Sequence, residues 1–236
     1  MKDDDKSSAR AIAPQRIVFG WGRRRELGAL ARLLGRRAFV VCGSRTLVDR
    51  GTLGELTDLL AAQHIQAIAT ETITHEPEVA DVDRTAAEIR RHGARDGDFI
   101  LAVGGGAALD LGKAAAAMAT STQSPTVKDY LEGVGRGLKI VEEPLPVLAM
   151  PTTAGTGTEA TKNAVISSYD PPFKPFKKSL RDERIVPRIA LIDPELTVSV
   201  PPAITAASGM DAITQLFESF ISKKARPIPQ ALARQG

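Results

Sequence analysis

The run Phe99-Ile-Leu-Ala-Val103, followed at once by Gly104-Gly-Gly106 and an alanine-rich stretch to Thr120, constrains this chain most. A short apolar run without alternation fits a strand buried on both faces. The glycines end it, and the alanines favour a helix. A buried strand that turns directly into a helix belongs to a βαβ crossover, which makes neighbouring strands parallel. The rest of the chain keeps this rhythm. Residues 17–19, 38–42, 66–70, 145–150, 164–168 and 189–192 are strand candidates, and 23–34, 53–63, 78–92 and 107–120 carry helical apolar spacing. Prolines and lysines over 169–178 predict an exposed loop. The expected fold is α/β: a Rossmann-like, mostly parallel sheet domain, followed by the first part of an all-helical domain. The change comes after Pro201-Pro202, where 205–222 reads as a helix with no strand behind it. The expected division is a flexible tail over 1–13, a nucleotide-binding domain over 14–200, and the start of a helical domain over 201–236 that the chain leaves short.

Glycines let a backbone approach a ligand closely, and the helix start behind them presents free N–H groups and partial positive charge. Phosphate or diphosphate is the natural guest. The P-loop pattern fails here: five residues separate Gly106 from Gly112, and Lys113 is followed by Ala114. The dinucleotide fingerprint fails too, because Leu109 stands at its third glycine position. A tight βα turn holding nothing is the competing reading. A second glycine turn, Pro151-Thr-Thr-Ala-Gly-Thr-Gly-Thr-Glu159, also follows an apolar strand. Its hydroxyls sit where α/β sheets bind ligands, at a strand's carboxyl end, although they also satisfy a turn on their own. Gly133-x-Gly135-Arg136-Gly137 reads as a flexible turn.

In the helix after Ser208, Asp211, Gln215 and Glu218 share one face, and Met210, Ile213, Phe217 and Phe220 lie on the other. An ordinary amphipathic helix has this pattern, and Gln is a poor metal ligand beside His.

Composition narrows the partners. A net charge of +3 and 4% aromatics argue against nucleic acid. One cysteine, Cys42, excludes an internal disulfide framework. No apolar run reaches the ~18 residues of a membrane span, and Met1-Lys-Asp-Asp-Asp-Lys6 lacks the apolar core of a signal peptide. The expected compartment is the cytoplasm.

Four segments together resemble the iron-containing (group III) alcohol dehydrogenase family, within the dehydroquinate synthase and glycerol dehydrogenase superfamily. They are Gly104-Gly-Gly-Ala-Ala-Leu-Asp-Leu-Gly-Lys113, Pro151-Thr-Thr-Ala-Gly-Thr-Gly-Thr-Glu159, Asp193-Pro-Glu-Leu-Thr197 and Pro201-Pro-Ala-Ile-Thr-Ala-Ala-Ser-Gly-Met-Asp-Ala212. The resemblance implies hydride transfer between NAD or NADP and a small alcohol or aldehyde, assisted in the parent protein by a divalent metal, iron or zinc. It implies a cofactor diphosphate cradled by Gly104, Gly105 and Gly106, with Asp110 and Lys113 beside them in the same motif. Thr152 and Thr153 would contact the nucleotide, Lys178 would reach it, and Asp211 would hold metal. A homodimer is expected by family analogy.

The chain departs from the family in three places. Ala107 replaces the usual serine, Gln215 stands at the first metal histidine, and the remaining metal histidines lie beyond Gly236. The family's acidic residue after the second strand is Gly43, beside Ser44 and Arg45. A glycine leaves room for a ribose 2′-phosphate and an arginine pairs with it, so NADP is expected to be favoured or tolerated. Two other readings stay open. One is a non-catalytic nucleotide-binding fragment, and the other is a metal-independent reductase similar to maleylacetate reductases.

Overall fold

A computed structural model describes residues 12–43, 45–169 and 175–236, apart from the side chain of Glu71. Most of the expected tail, over 1–11, lies outside the described residues, as does Ser44. The strands are β1 (Arg16–Phe19), β2 (Arg37–Gly43), β3 (Gln66–Ile73), β4 (Asp98–Gly104), β5 (Val147–Pro151), β6 (Asn163–Ser168), β7 (Phe176–Arg181) and β8 (Ile189–Ile192). The helices are α1 (Leu27–Ala31), α2 (Arg45–Asp49), α3 (Thr52–Ala61), α4 (Val79–Arg91), α5 (Gly106–Thr120), α6 (Pro202–Ile221) and α7 (Pro227–Gln235).

Six strands form one parallel sheet in the order β1-β8-β5-β4-β2-β3, and β6 and β7 form a separate antiparallel hairpin. The central strands β2, β4 and β5 are buried on both faces, as their unbroken apolar runs predict. Along β2, Phe39 and Val41 enter a core with Ala86 and Ile89 of α4 and Leu111 and Ala115 of α5. Ala38, Val40 and Cys42 enter the opposite core with Leu27 of α1 and Leu56 and Leu60 of α3. Each large apolar side chain so buried contributes about 1.5–3 kcal/mol. The alanines of α5 have a steric reason. The helix is buried from Ala108 to Met118, between the sheet and Ala164, Ile166 and Leu180 of the hairpin. A Cβ on its Gly112 would stand 2.7 Å from Ala102 Cβ, so only small residues admit this approach.

Three features differ from the expectation. The lysine-rich stretch is not loop throughout, since 176–181 is strand β7. Phe176 and Leu180 pack against the α5 core, and six residue pairs along β6 hold the strand in register. The helix expected from Arg23 begins as a 3-10 turn over Arg23–Glu26, because the buried Asp193 carboxylate accepts the Gly22 and Arg24 N–H groups (2.9 and 3.0 Å). Beyond α6 the chain forms a further short helix, α7.

Candidate functional site

Strand β2 leads outward to β3, whereas β4 leads the opposite way to β5. Their carboxyl ends form the topological switch point where open parallel sheets bind ligands. The backbones converge there closely. Gly104 has φ +147°, and a Cβ on it would lie 2.9 Å from Gly43 Cα. A Cβ on Gly43 would lie 2.6 Å from Ala108 Cβ. Glycine at both positions is therefore a packing requirement.

Gly105 starts α5, and its carbonyl accepts from Ala108 and Leu109 (3.1 and 3.2 Å). The first-turn N–H groups of Gly106 and Ala107 have no carbonyl one turn back to bond, and the helix dipole adds partial positive charge. The second glycine turn faces this start directly. Thr152 N–H donates to Gly104 O (2.9 Å), and a Cβ on Gly105 would stand 3.4 Å from Thr153 Oγ1. A Cβ on Gly106 would stand 2.9 Å from Thr156 Cγ2. The two turns thus form one structure.

Two adjoining cavities open on it. One, of about 670 Å³, takes in Gly43 and Arg45 at one end and Ala107, Thr152 and Thr153 at the other. The other, of about 810 Å³, takes in Gly106, Asp110, Thr156, Asn163, Lys177 and Asp211. They share Glu76, Gly105, Ala107, Thr153 and Ile204, and so make one continuous cleft. Glu76 and Lys177 are ion-paired at 2.7 Å across it, both more than half exposed.

Asp110 and Lys113 behave differently from each other. Asp110 lines the cleft but is only 7% exposed, and its Oδ1 has no hydrogen-bond partner. Burial, partly offset by Lys113, pushes its carboxyl up to about 6. Lys113 is fully buried and lines neither cavity. Its Nζ donates to Thr158 O (2.9 Å) and Thr161 Oγ1 (3.1 Å) and lies 3.6 Å from Asp110 Oδ1. Burial pulls this ammonium down to about 8, against the pull of Asp110.

Lys178 falls on the other side of its strand. It pairs with Ile166 on the face that carries Phe176 and Leu180, and a Cβ on Gly133 would be 3.7 Å from its Nζ. Period-two alternation turns Lys177 to the cleft, so the lysine that borders the cleft moves by one residue. Counting back by twos from apolar Leu180 would have found it. Glu76, by contrast, arrives from the segment after β3 and carries no local signal.

Helix α6 crosses the second turn where Gly155 leaves room, since a Cβ there would meet Ser208 O at 2.4 Å. This seat brings Asp211 and Gln215 to the cleft. Gln215 Nε2 donates to Asp211 Oδ2 (3.0 Å) and Gly155 O (3.3 Å). Asp211 and Gln215 alone do not make up a metal ligand set, and no group of three His, Cys, Asp or Glu side chains with metal-binding geometry occurs among the described residues. Cys42 is buried, and burial raises its thiol to about 11. Among the described residues no helix is long and apolar enough to cross a membrane.

The family model described as iron-containing alcohol dehydrogenase matches residues 14–194. Long-chain-alcohol dehydrogenase 1 of Geobacillus thermodenitrificans is 34% identical over 229 residues, which are 96% of this chain and 55% of that protein. The solved structure of 1,3-propanediol oxidoreductase superposes with a TM-score of 0.84 at 29% identity, covering 97% of this chain and 56% of that one. Sulfoacetaldehyde reductase from Bifidobacterium kashiwanohense, solved in complex with NAD+, gives 0.79 at 33% identity over 96% of this chain and 57% of its own. The chain spans about half the length of the curated relatives it matches.

Proposed function

Because the chain belongs to the iron-containing alcohol dehydrogenase family, we propose that it supplies the nucleotide-binding part of an oxidoreductase that interconverts alcohols with aldehydes or ketones. The chemistry is transfer of a hydride from a carbinol carbon to a nicotinamide ring while the hydroxyl proton is released, and its reverse. The observation that carries this reading is the contact between the two glycine turns beneath the start of α5. That cradle fits a dinucleotide. The N–H groups of Gly105, Gly106 and Ala107 would hold the diphosphate, with Gly104 giving the close approach and Thr152 and Thr153 alongside. Gly43 and Arg45 would take the adenosine ribose, with NADP favoured or tolerated. Lys177 is proposed to reach the nucleotide in place of Lys178.

Asp211 and Gln215 would supply at most part of a metal site, for a divalent ion such as iron or zinc. Asp211 is the family-type ligand, but its neighbour Gln215 is a neutral amide already bonded to it. A neutral amide at that place favours a second reading, a reductase on the same fold that works without metal. The proposal also includes a small alcohol or aldehyde as substrate, a homodimer and a cytoplasmic location.

Titration of the purified chain with NADPH and NADH, read by reduced-nicotinamide fluorescence, tests the core of the proposal. Saturable binding of at least one is expected, and saturation by neither overturns it. Aldehyde reduction by the full-length gene product with and without chelator separates the two readings.

A further inference from the structure

Within that nucleotide-binding reading, we infer that Lys113 is a positioning residue: it fixes the second glycine turn against the first, so that the cradle exists before nucleotide arrives. It is not a catalytic residue: it does not line the cleft itself, and reaches it only through the lining residues Thr158, Thr161 and Asp110. Its ammonium is fully buried in the second turn of α5, behind Gly105 and Gly106. Its two donated bonds go across the fold to Thr158 O and Thr161 Oγ1, where the threonine turn comes to its end. Thr152 N–H, bonded to Gly104 O, holds the other end of that turn. The turn is therefore tied at both ends to the strand-to-helix unit that starts the phosphate cradle.

The alternative is a buried lysine with a purely structural role. Its partners argue otherwise. A side chain kept only for packing at this depth would be apolar, because burying an ammonium costs more than burying an alkyl chain of the same shape. Lys113 instead satisfies one backbone carbonyl and one hydroxyl of a single loop, and that loop borders the cleft through Thr153, Thr156, Thr158 and Thr161. A pre-formed site avoids ordering this loop on binding, which strengthens affinity. Thr158 itself lines the cleft, so loss of the tie would displace a lining residue directly.

Three variants of the full chain test this. Lys113→Met keeps the length of the side chain and removes the donors. Thr161→Val removes one acceptor and leaves the buried charge in place. Met118→Ala, at the far end of the same helix, is a control that lowers stability without touching either turn. NADPH and NADH affinity is measured well below each melting temperature, and amide hydrogen exchange of 152–161 is followed without nucleotide. Lys113→Met is expected to weaken binding about tenfold or more and Thr161→Val several-fold, both with faster exchange over 152–161. Met118→Ala is expected to melt lower with unchanged affinity and unchanged exchange there. Wild-type affinity and protection in Thr161→Val overturn the inference, as does an equal loss in Met118→Ala. If the wild type binds neither nucleotide, the nucleotide reading fails by itself. The exchange arm then still decides whether Lys113 holds the turn.

Discussion

Arg45 and Lys113 show how differently two basic residues near one cleft can act. Arg45 lines the cavity beside Gly43, where the proposed function has it meet a 2′-phosphate. Removing it in Arg45→Ala is expected to weaken NADPH binding about tenfold and leave NADH within twofold, since a charge-assisted bond contributes about 1.5–3 kcal/mol. Equal losses for the two cofactors would show that Arg45 does not read the phosphate. Lys113 acts through its burial and has a pH signature. Its folded-state pKa, about 8, lies below its ordinary value of 10.5. Between those values the unfolded chain holds the proton that the folded chain has lost, so this group makes stability rise with pH. The full span corresponds to up to about 3 kcal/mol. Asp110 is displaced upward to about 6, so its contribution rises as pH falls from 6 towards 3.8. Urea unfolding of wild type and Lys113→Met at pH 8 and 10 isolates the first effect, because the two proteins differ only at this side chain. The wild type should gain on the variant as pH rises, and a constant difference would place the ammonium in solvent.

At the scale of elements, the seat of α6 on the second glycine turn depends on one missing side chain. A Cβ at Gly155 would come within 2.4 Å of Ser208 O, a backbone atom that cannot swing aside. Gly155→Ala is therefore expected to lift α6, break the Gln215 to Gly155 hydrogen bond and expose 202–221 to protease. Limited proteolysis would show faster cleavage there while the strands of the parallel sheet stay resistant, and unchanged cleavage would mean that the loop yields instead. This seat also marks what the sequence makes legible. The glycine turns are readable because strand, glycine and helix follow one another locally, and β2, β4 and α5 announce themselves by unbroken apolar runs or alanine. Strand β7 is hidden, since its apolar positions Phe176 and Leu180 stand among prolines and lysines, and burial against α5 decides its state. The same concealment hides that Lys177 rather than Lys178 lines the cleft. The Lys113 bonds join residues 45 and 48 positions apart, and no local pattern encodes such a pairing.

Considered whole, the parallel sheet has two edges, and they differ. On β1, Ile17 and Phe19 are 55% and 67% exposed, whereas Val18 points into the core. An edge strand also presents a row of unpaired backbone N–H and C=O groups, a template for another strand. A second copy of β1 running antiparallel about a two-fold axis fits both features and gives the proposed homodimer a definite register. Residues opposite one another must share a face, so Val18 stands opposite its own copy and Ile17 opposite the second copy's Phe19. The apolar side chains of both copies then cover one another on a single face. Phe19→Asp would set a carboxylate against an isoleucine at each of the two symmetric contacts, with like charges close by. Sedimentation equilibrium at tens of micromolar should find the wild type at twice the chain mass and Phe19→Asp at the chain mass, with melting little changed because Phe19 is mostly exposed within its own chain. The other broad apolar surface, Met210, Ile213, Phe217 and Phe220 on α6, is the competitor. Dissociation by Phe217→Asp but not by Phe19→Asp would move the interface there, and a monomeric wild type would remove the dimer altogether.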